Sequence, residues 1–519
     1  MSETFYVTTP IYYVNDVPHI GHSYTTIAAD VLARYHRAAG RDVRFLTGTD
    51  EHGIKIVKAA GEKGKTPQQL ADEVVVHFQQ LWADLNISND DFIRTSAPRH
   101  EKRVQALVQR LVDADEIYLG KYEGWYDEGQ EEFVTESTAR ENEYKSAING
   151  RPLVRYSEPS YFFRLAKWVP ALIEHIEGDP GFVQPVARRN EVLSKLHQGV
   201  EDLSISRQQE RLGNWGVPLP HDPTHSVYVW IDALSNYYTA LGLPEIGDGR
   251  DGEAKQYWPA DVHLIGKDIL WFHAVYWPCM LMALDLPLPK CVFAHGWWTS
   301  EGKKMSKSLG NFISREQIAE ICREYSRDVY RYFLLRAVAF GADGDFSQDA
   351  FRTRYNTELA NGVGNLLSRT TNMIARYFDG RVPEAVEAVP EAEPVRSAAA
   401  ALIDTASEAM AACRFDRYLE AVGALVTATD RFIDETEPFR LAKDEAARPR
   451  LATILYTCAE AVRLVLLYLR PVMPEAAGAG LDRLGIAAGD EPLAAAGQWG
   501  VLPPGSPTEK GKPLFPRKT

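Results

Sequence analysis

Two short segments carry the residue types best suited to handling phosphate. In Pro18-His19-Ile20-Gly21-His22 a pair of histidines sits three residues apart. They lie where a strand-like run, Phe5 to Ile11, passes through a turn into a helix-patterned run that ends near Ala39 with Gly40 as its cap. Both rings therefore fall on one face of a helix start, where the first backbone N–H groups lack internal partners, so imidazoles and amides can donate to one oxyanion. Gly21 between them lets a flat ring approach the backbone. The second segment, Glu301-Gly302-Lys303-Lys304-Met305-Ser306-Lys307-Ser308, is a Gly-hinged loop whose lysines can swing point charges onto a polyphosphate. Alone, the first reads equally well as a surface turn and the second as a solvated basic loop. Placed at opposite ends of one α/β segment, they read as two halves of a polyphosphate site.

The elements between them fit that reading. Asp42 to Thr49 is a second buried strand, and Asp50-Glu51-His52-Gly53 follows at its C-terminal end, where open parallel sheets bind ligands. Thr66 with Gln69 makes a capping box for a helix reaching about Leu85. From Leu119 to Pro220 the texture turns aromatic-rich and irregular, as in an inserted domain. The α/β rhythm resumes with strands at Val227 to Ile231, Asp261 to Gly266 and Cys291 to Ala294, and a helix from Ile269. Ile269, His273 and Trp277, spaced by four, are expected to share one face of that helix. Beyond residue 314 strand signals stop. Capped helices open at Ser314 and Ser326, and long helical patterns span Arg352 to Phe378, Ala398 to Cys413, Asp416 to Glu435 and Ala446 to Leu469. Residues 382–395 read as a loop, and the stretch from Ala487 as an extended tail. The expected fold class is α/β, a Rossmann-like doubly wound parallel sheet with an inserted domain, followed by an all-α helical bundle.

With 519 residues, 45% hydrophobic and 25% charged, the chain is sized for several globular cores. A net charge of −14 argues against a DNA coat or an anionic membrane surface, while leaving room for a local basic track. The N-terminus lacks a basic, then apolar, leader, and the apolar run Ile269 to Leu286 is broken by His273, Pro278 and Asp285, so neither export nor a membrane span is expected. Five scattered cysteines without a CxxC pair read as reduced core thiols of a cytoplasmic protein.

His19 to His22 (HIGH) and Lys304 to Ser308 (KMSKS) together resemble the paired signatures of the class I aminoacyl-tRNA synthetases, and the whole chain is most similar to their methionyl branch. The resemblance implies ATP-dependent attachment of L-methionine to tRNA(Met), initiator tRNA included, through a methionyl-adenylate formed with Mg²⁺. By the same resemblance His19, His22, Lys304 and Lys307 carry catalysis, and His19, Gly21, His22, Gly266, Lys267, Asp268, His295 and Lys307 bind ATP. Ile11, Tyr13, Asp50, Trp230, Ala233, Leu234, Tyr237, Ile269, His273 and Trp277 would form the methionine pocket, with Asp50 on the α-ammonium, and Arg207 is a further candidate for the carboxylate or phosphates. The chemistry agrees: attack of a carboxylate on the α-phosphorus moves negative charge onto pyrophosphate, which fixed imidazoles and ammoniums stabilise without a general base. Aromatic rings suit a polarisable thioether.

The same likeness implies domains at 1–117 and 226–296 (catalytic halves), 118–225 (connective insertion), 297–350 (KMSKS loop and stem contact) and 351–519 (anticodon binding by Asn365, Arg369 and Phe439, with a tail). Phe439 stands where the family usually has Trp, and a phenyl ring still stacks on a base, with less area. The zinc-knuckle cysteines of many relatives are replaced by Asp127, Gln130, Ser146 and Asn149. No structural zinc is expected, the insertion being held by Tyr122, Trp125, Tyr126, Phe133 and Tyr144. A monomer without membrane contact is expected, its tail residues Lys510, Lys512, Arg517 and Lys518 solvated. Two alternatives remain at this point. A class I synthetase for another apolar amino acid would want a larger editing insertion than about a hundred residues, because a pocket separates one methylene by only ~1–3 kcal/mol. A non-catalytic tRNA-binding relative would have no need of His19, His22 and Lys307.

Overall fold

The structure, a computed structural model, describes residues 3–127, 132–134, 136–147, 150–300, 303–304, 313–486 and 493–518. Six parallel strands build its central sheet: β1 Thr4–Tyr13, β2 Asp42–Asp50, β3 Asp91–Arg94, β4 Val183–Gln184, β5 Val262–Gly266 and β6 Val292–His295. Their order is β3-β2-β1-β5-β6-β4. The direction of winding therefore reverses between β1 and β5, and the crevice outside their C-terminal ends is the natural ligand site of such a sheet. β1 is buried along nearly its whole length, as a strand covered on both faces should be. Its register on β2 shifts between Thr8 and Ile11, around Pro10, which has no N–H to give to the ladder. Helix α1, Ile20–Ala38, packs on β1 and β2 and ends at Ala39, after which Gly40 takes a φ of +86°.

Three strand readings change. Val227 to Ile231 is the end of a short antiparallel strand, His225–Val227, followed by helix α2, Val229–Thr239. A short, wholly apolar run has no period, so it cannot separate a buried strand from the first turn of a buried helix. The edge strands β3 and β4, four and two residues long, are too short to show a pattern. β4 also lies inside the span 118–225, so that segment returns to the central sheet before it ends. Beyond residue 314 one short strand does occur, Gly344–Phe346, pairing with Trp298–Ser300.

The insertion itself is a four-stranded antiparallel sheet of Ile117–Asp127, Glu132–Val134, Val154–Phe163 and Leu203–Ser204. Within it the rings of Trp125 and Tyr144 lie 4.8 Å apart, the Tyr122 hydroxyl donates to the carbonyls of Trp125 and Val134, and the Arg207 guanidinium sits 5.5 Å from the Tyr126 ring. The side chain of Phe133, and Gln130 and Asn149, lie outside the described residues. Among the described residues no group of three or more His, Cys, Asp or Glu could hold a metal ion.

The C-terminal helices include α3 Arg327–Arg336, α4 Phe415–Thr436 and α5 Arg448–Leu469. The run Glu445–Leu469 is long and apolar enough to cross a membrane, yet 89% of its most apolar window is buried inside the protein, as in a core helix. One buried ion pair ties this region to the sheet: Arg331 of α3 donates to Asp30 of α1 at 2.6 Å and to the carbonyls of Val472 and Leu85, with both charged side chains fully buried. The chain after Leu493 is strapped down rather than extended. Glu460 accepts from the amides of Gly500 and Val501, Phe515 is buried, and Tyr355 donates to the Pro516 carbonyl.

Candidate active site

A cavity of about 480 Å³ opens at the switch point. β1 contributes Ile11 and Tyr13, the start of α1 His19, Gly21 and His22, and the end of β2 Asp50. One face of α2 contributes Trp230, Ala233, Leu234 and Tyr237, and the segment after β5 adds Gly266, Asp268, Ile269 and His273. His295 at the end of β6 and Trp297 just beyond it close the cavity. Lys304's side chain and the whole of Lys307 lie outside the described residues.

The two α1 histidines are locked by the backbone. His19 is the extended N-cap, the Gly21 amide donates to its Nδ1 at 3.0 Å, and the His19 amide donates to His22 Nδ1 at 3.1 Å. The rings sit 3.8 Å apart. Since each Nδ1 accepts, each neutral ring carries its proton on Nε2. Burial, reinforced by the neighbouring His19, holds His22 well below the usual histidine range. The sequence expectation that free helix amides would meet an oxyanion is corrected here: Gly21's amide is taken by His19, and Ile20's by the Ile313 carbonyl. Gly21 is needed for a different flat ring than expected, because a Cβ there would stand 2.9 Å from His19 Cε1.

His295 is likewise neutral, its affinity for a proton lowered by burial. Its Nδ1–H donates to the Gly296 carbonyl at 2.7 Å, leaving Nε2 to accept from Thr25 at 2.6 Å. In the apolar half, Trp230 stacks on Phe272 at 3.7 Å. Burial lowers His273 to about 4 and pushes Tyr237 far up, so both are neutral. His273 Nδ1–H donates to the Ile269 carbonyl at 2.9 Å, and Tyr237's hydroxyl donates to His273 Nε2 at 2.7 Å. His273 thus fixes the Tyr237 ring and has no proton left to offer the cavity.

Three expected site residues sit elsewhere. Trp277 is fully buried behind the wall, 6.2 Å from the Tyr237 ring and 6.0 Å from Trp258. The reason is local: Phe272–Tyr276 is a π-helical turn, whose extra residue rotates the next turn of helix off the face shared by Ile269 and His273. Lys267 is bound by both carboxylate oxygens of Asp343, at 2.7 and 2.8 Å, and lies 4.3 Å over the Trp297 ring. Arg207 is buried outside the cavity, donating to the Ser206 carbonyl at 2.8 Å with its guanidinium 4.5 Å from the Tyr228 ring. In the helical region Asn365 is exposed, Arg369 pairs with Asp430 and Asp434, and Phe439 is 47% exposed.

Trp297, Thr25 and Asp343 were missed from sequence. Thr25 follows His22 by three, on the same helix face, and Trp297 stands two residues from His295, so both had a spacing signal. Asp343 had none. Trp297 donates from Nε1 to Asp268 Oδ1 at 3.1 Å, which fixes that carboxylate at the rim.

The chain that builds this crevice, with paired imidazoles at a helix start over an apolar wall, is by its relatives a class I aminoacyl-tRNA synthetase. The family described as tRNA synthetases class I (M) matches residues 5–142 and 139–371. A methionine–tRNA ligase of Halalkalibacterium halodurans is 46% identical over 99% of this chain and 78% of its own length, and one of Rhizobium meliloti 45% identical over 99% and 98%. A methionyl-tRNA synthetase of Mycobacterium tuberculosis solved with methionyl-adenylate superposes with a TM-score of 0.92 at 40% identity, covering 99% of this chain and all of that one. The chain belongs to the methionine–tRNA ligase family.

Proposed function

We propose that this cavity joins methionine to ATP and that the resulting adenylate is passed to tRNA(Met), the initiator form included. What carries the reading is the joining, in one cavity, of two backbone-locked Nε2–H donors with an aromatic, sulfur-sized wall and the buried Asp50 carboxylate. In it Asp50 holds the α-ammonium, the thioether lies among Ile11, Tyr13, Trp230, Ala233, Leu234, Tyr237 and Ile269, and the substrate carboxylate faces the α-phosphorus. His19 and His22 donate to the phosphates as charge moves onto the pyrophosphate. Lys307, with Lys304, completes that stabilisation from the KMSKS loop. Gly266, Asp268 and His295 border the nucleoside. ATP enters as its Mg²⁺ complex, in which phosphate oxygens and water supply most ligands. Trp277 and Lys267 act one layer out, holding the wall and rim, and His273 lines the wall and holds the Tyr237 ring.

The exposed Phe439 ring is a stacking platform for an anticodon base, and Asn365 and Arg369 of the helix Asn365–Tyr377 are further contacts to it. The domain division 1–117, 118–225, 226–296, 297–350 and 351–519, a monomeric state and a cytoplasmic location complete the proposal. Amino-acid-dependent ATP–pyrophosphate exchange across a panel of amino acids tests it: exchange with methionine is expected, and exchange with leucine instead, or with none, would overturn it. Lys307→Ala should abolish exchange while methionine binding persists; equal loss of both would remove Lys307 from its role.

A further inference from the structure

Beside the cavity, and not lining it, lies a buried charged network. Asp232, 1% exposed, stands on α2 with its two carboxylate oxygens bound on either side: Oδ2 by His52 Nδ1 at 2.8 Å and Oδ1 by His100 Nε2 at 2.8 Å. His52 and His100 are 2% and 0% exposed. His52 sits in the turn after β2, two residues beyond Asp50. His100 belongs to the helix Pro98–Asp113, and its Nδ1 is hydrogen-bonded to the hydroxyl of Thr239, two helical turns along α2 from Asp232, at 2.7 Å. Residues 230, 233, 234 and 237 form the cavity face of α2, whereas 232 and 239 share the face turned to His100.

Burying such a carboxylate is tolerated only with full pairing. Here His52, held charged and raised to about 10 by Asp232 and Glu101, provides the counter-charge against its own burial, and Asp232 falls to about 2. His52 Nε2 lies 3.5 Å from Glu101, and the Trp215 ring stands edge-on at 5.4 Å. On the remaining side a small void of about 20 Å³ is shared with Arg207, Tyr126 and Tyr228. Among the described residues the ring nitrogens of His100 meet Asp232 and Thr239, and as Asp232's second donor it fills the other oxygen.

We propose that Asp232, clamped between His52 and His100, is a positioning residue for methionine recognition: it locks α2 to the end of β2, fixing the distance from Trp230, Ala233 and Leu234 to Asp50. The inference rests on the reading of Asp50 as the ammonium site. A methionine molecule must satisfy both walls at once, so a shift of α2 along β2 weakens its binding while leaving the phosphate end, built on α1, where it was.

The test is pyrophosphate exchange by Asp232→Asn, with KM for methionine and for ATP recorded across pH. The methionine KM should rise on the order of tenfold or more, the scale of loss for a displaced binding group, with ATP KM unchanged within about twofold. Without its carboxylate partner His52 should titrate nearer its ordinary value, so the variant's methionine KM should gain a pH dependence between about pH 6 and 8 that the wild-type enzyme lacks. Adding His52→Gln should remove that dependence, a result that simple loss of folded protein does not give. If folded Asp232→Asn, checked by circular dichroism, keeps wild-type methionine KM and a flat profile, or loses affinity for both substrates equally, the proposal is wrong. Asp50→Ala separates the two claims: unchanged methionine KM there would refute the ammonium site itself, whatever Asp232 does.

Discussion

At the scale of single residues, the site works with neutral imidazoles. His19 and His22 each accept a backbone amide at Nδ1, which puts the proton of each neutral ring on Nε2. His22→Ala should lower exchange turnover by about 10²–10³-fold, the range for losing one fixed oxyanion donor, with methionine KM unchanged. A matching rise in methionine KM would place His22 in the wrong half of the cavity. Gly21→Ala acts on the same group indirectly, because the new Cβ displaces the His19 ring; turnover should fall while methionine binding, read by tryptophan fluorescence, holds. Tyr237→Phe leaves buried His273 Nε2 without its donor and should cost about 1–3 kcal/mol in denaturant unfolding. HIGH was legible at a helix start, whereas 230, 233, 234 and 237 came from the family resemblance alone, because Trp230 fell in a run read as a strand and only the helix Val229–Thr239 puts the four on one face. The tautomers were not legible, because they depend on which backbone amide reaches which ring nitrogen.

Among elements, short and irregular pieces decide the most. The long helices and their caps at Thr66, Ser314 and Ser326 follow from side-chain periodicity and hydroxyl chemistry, and all three occur. The π turn Phe272–Tyr276 does not announce itself, and one inserted residue was enough to move Trp277 from the cavity face into the core. The same applies to β4, two residues recruited to the sheet edge by their neighbours. Because Trp277 packs against Tyr237 and Trp258, Trp277→Ala should act first on stability. A loss of about 3–5 kcal/mol in chemical denaturation is expected, as for large-to-small changes in a core. A fully stable variant with abolished methionine binding would instead put its ring in contact with substrate.

For the whole molecule, buried charge joins what sequence reads as separate domains. Arg331 bonds Asp30 on the helix capped by His19 and Val472 in the helical region; removing Asp30 leaves the buried guanidinium without its carboxylate, whereas Asp30 without Arg331 keeps Arg34 at 2.7 Å and Ser88. Asp30→Leu, which leaves fully buried Arg331 without a carboxylate, should cost about 3–5 kcal/mol, measured by denaturant unfolding, and Arg331→Met, after which Asp30 keeps Arg34, should cost less. Titration acts at the same scale. Burial lowers His22, His36, His263, His273 and His295, with His36 at about 3 and His273 at about 4. The unfolded chain therefore binds extra protons below about pH 6.5, and stability is lost as pH falls toward those folded values, by about 1.4 kcal/mol per proton per pH unit. His52 has the opposite sign: its contribution is complete below about pH 6.5 and lost as pH rises through about 10. Thermal unfolding should thus show greatest stability near neutrality, and a melting temperature rising steadily from pH 7 down to 5 would contradict these burial shifts.

The most direct measurement is a crystal structure with a non-hydrolysable methionyl-adenylate analogue. Its α-ammonium should lie on Asp50, its thioether between Trp230 and Tyr237, and its phosphate within hydrogen-bond reach, about 3 Å, of a His19 or His22 Nε2. An analogue whose phosphate meets neither ring, or whose side chain leaves the α2 face empty, would contradict the shared cavity.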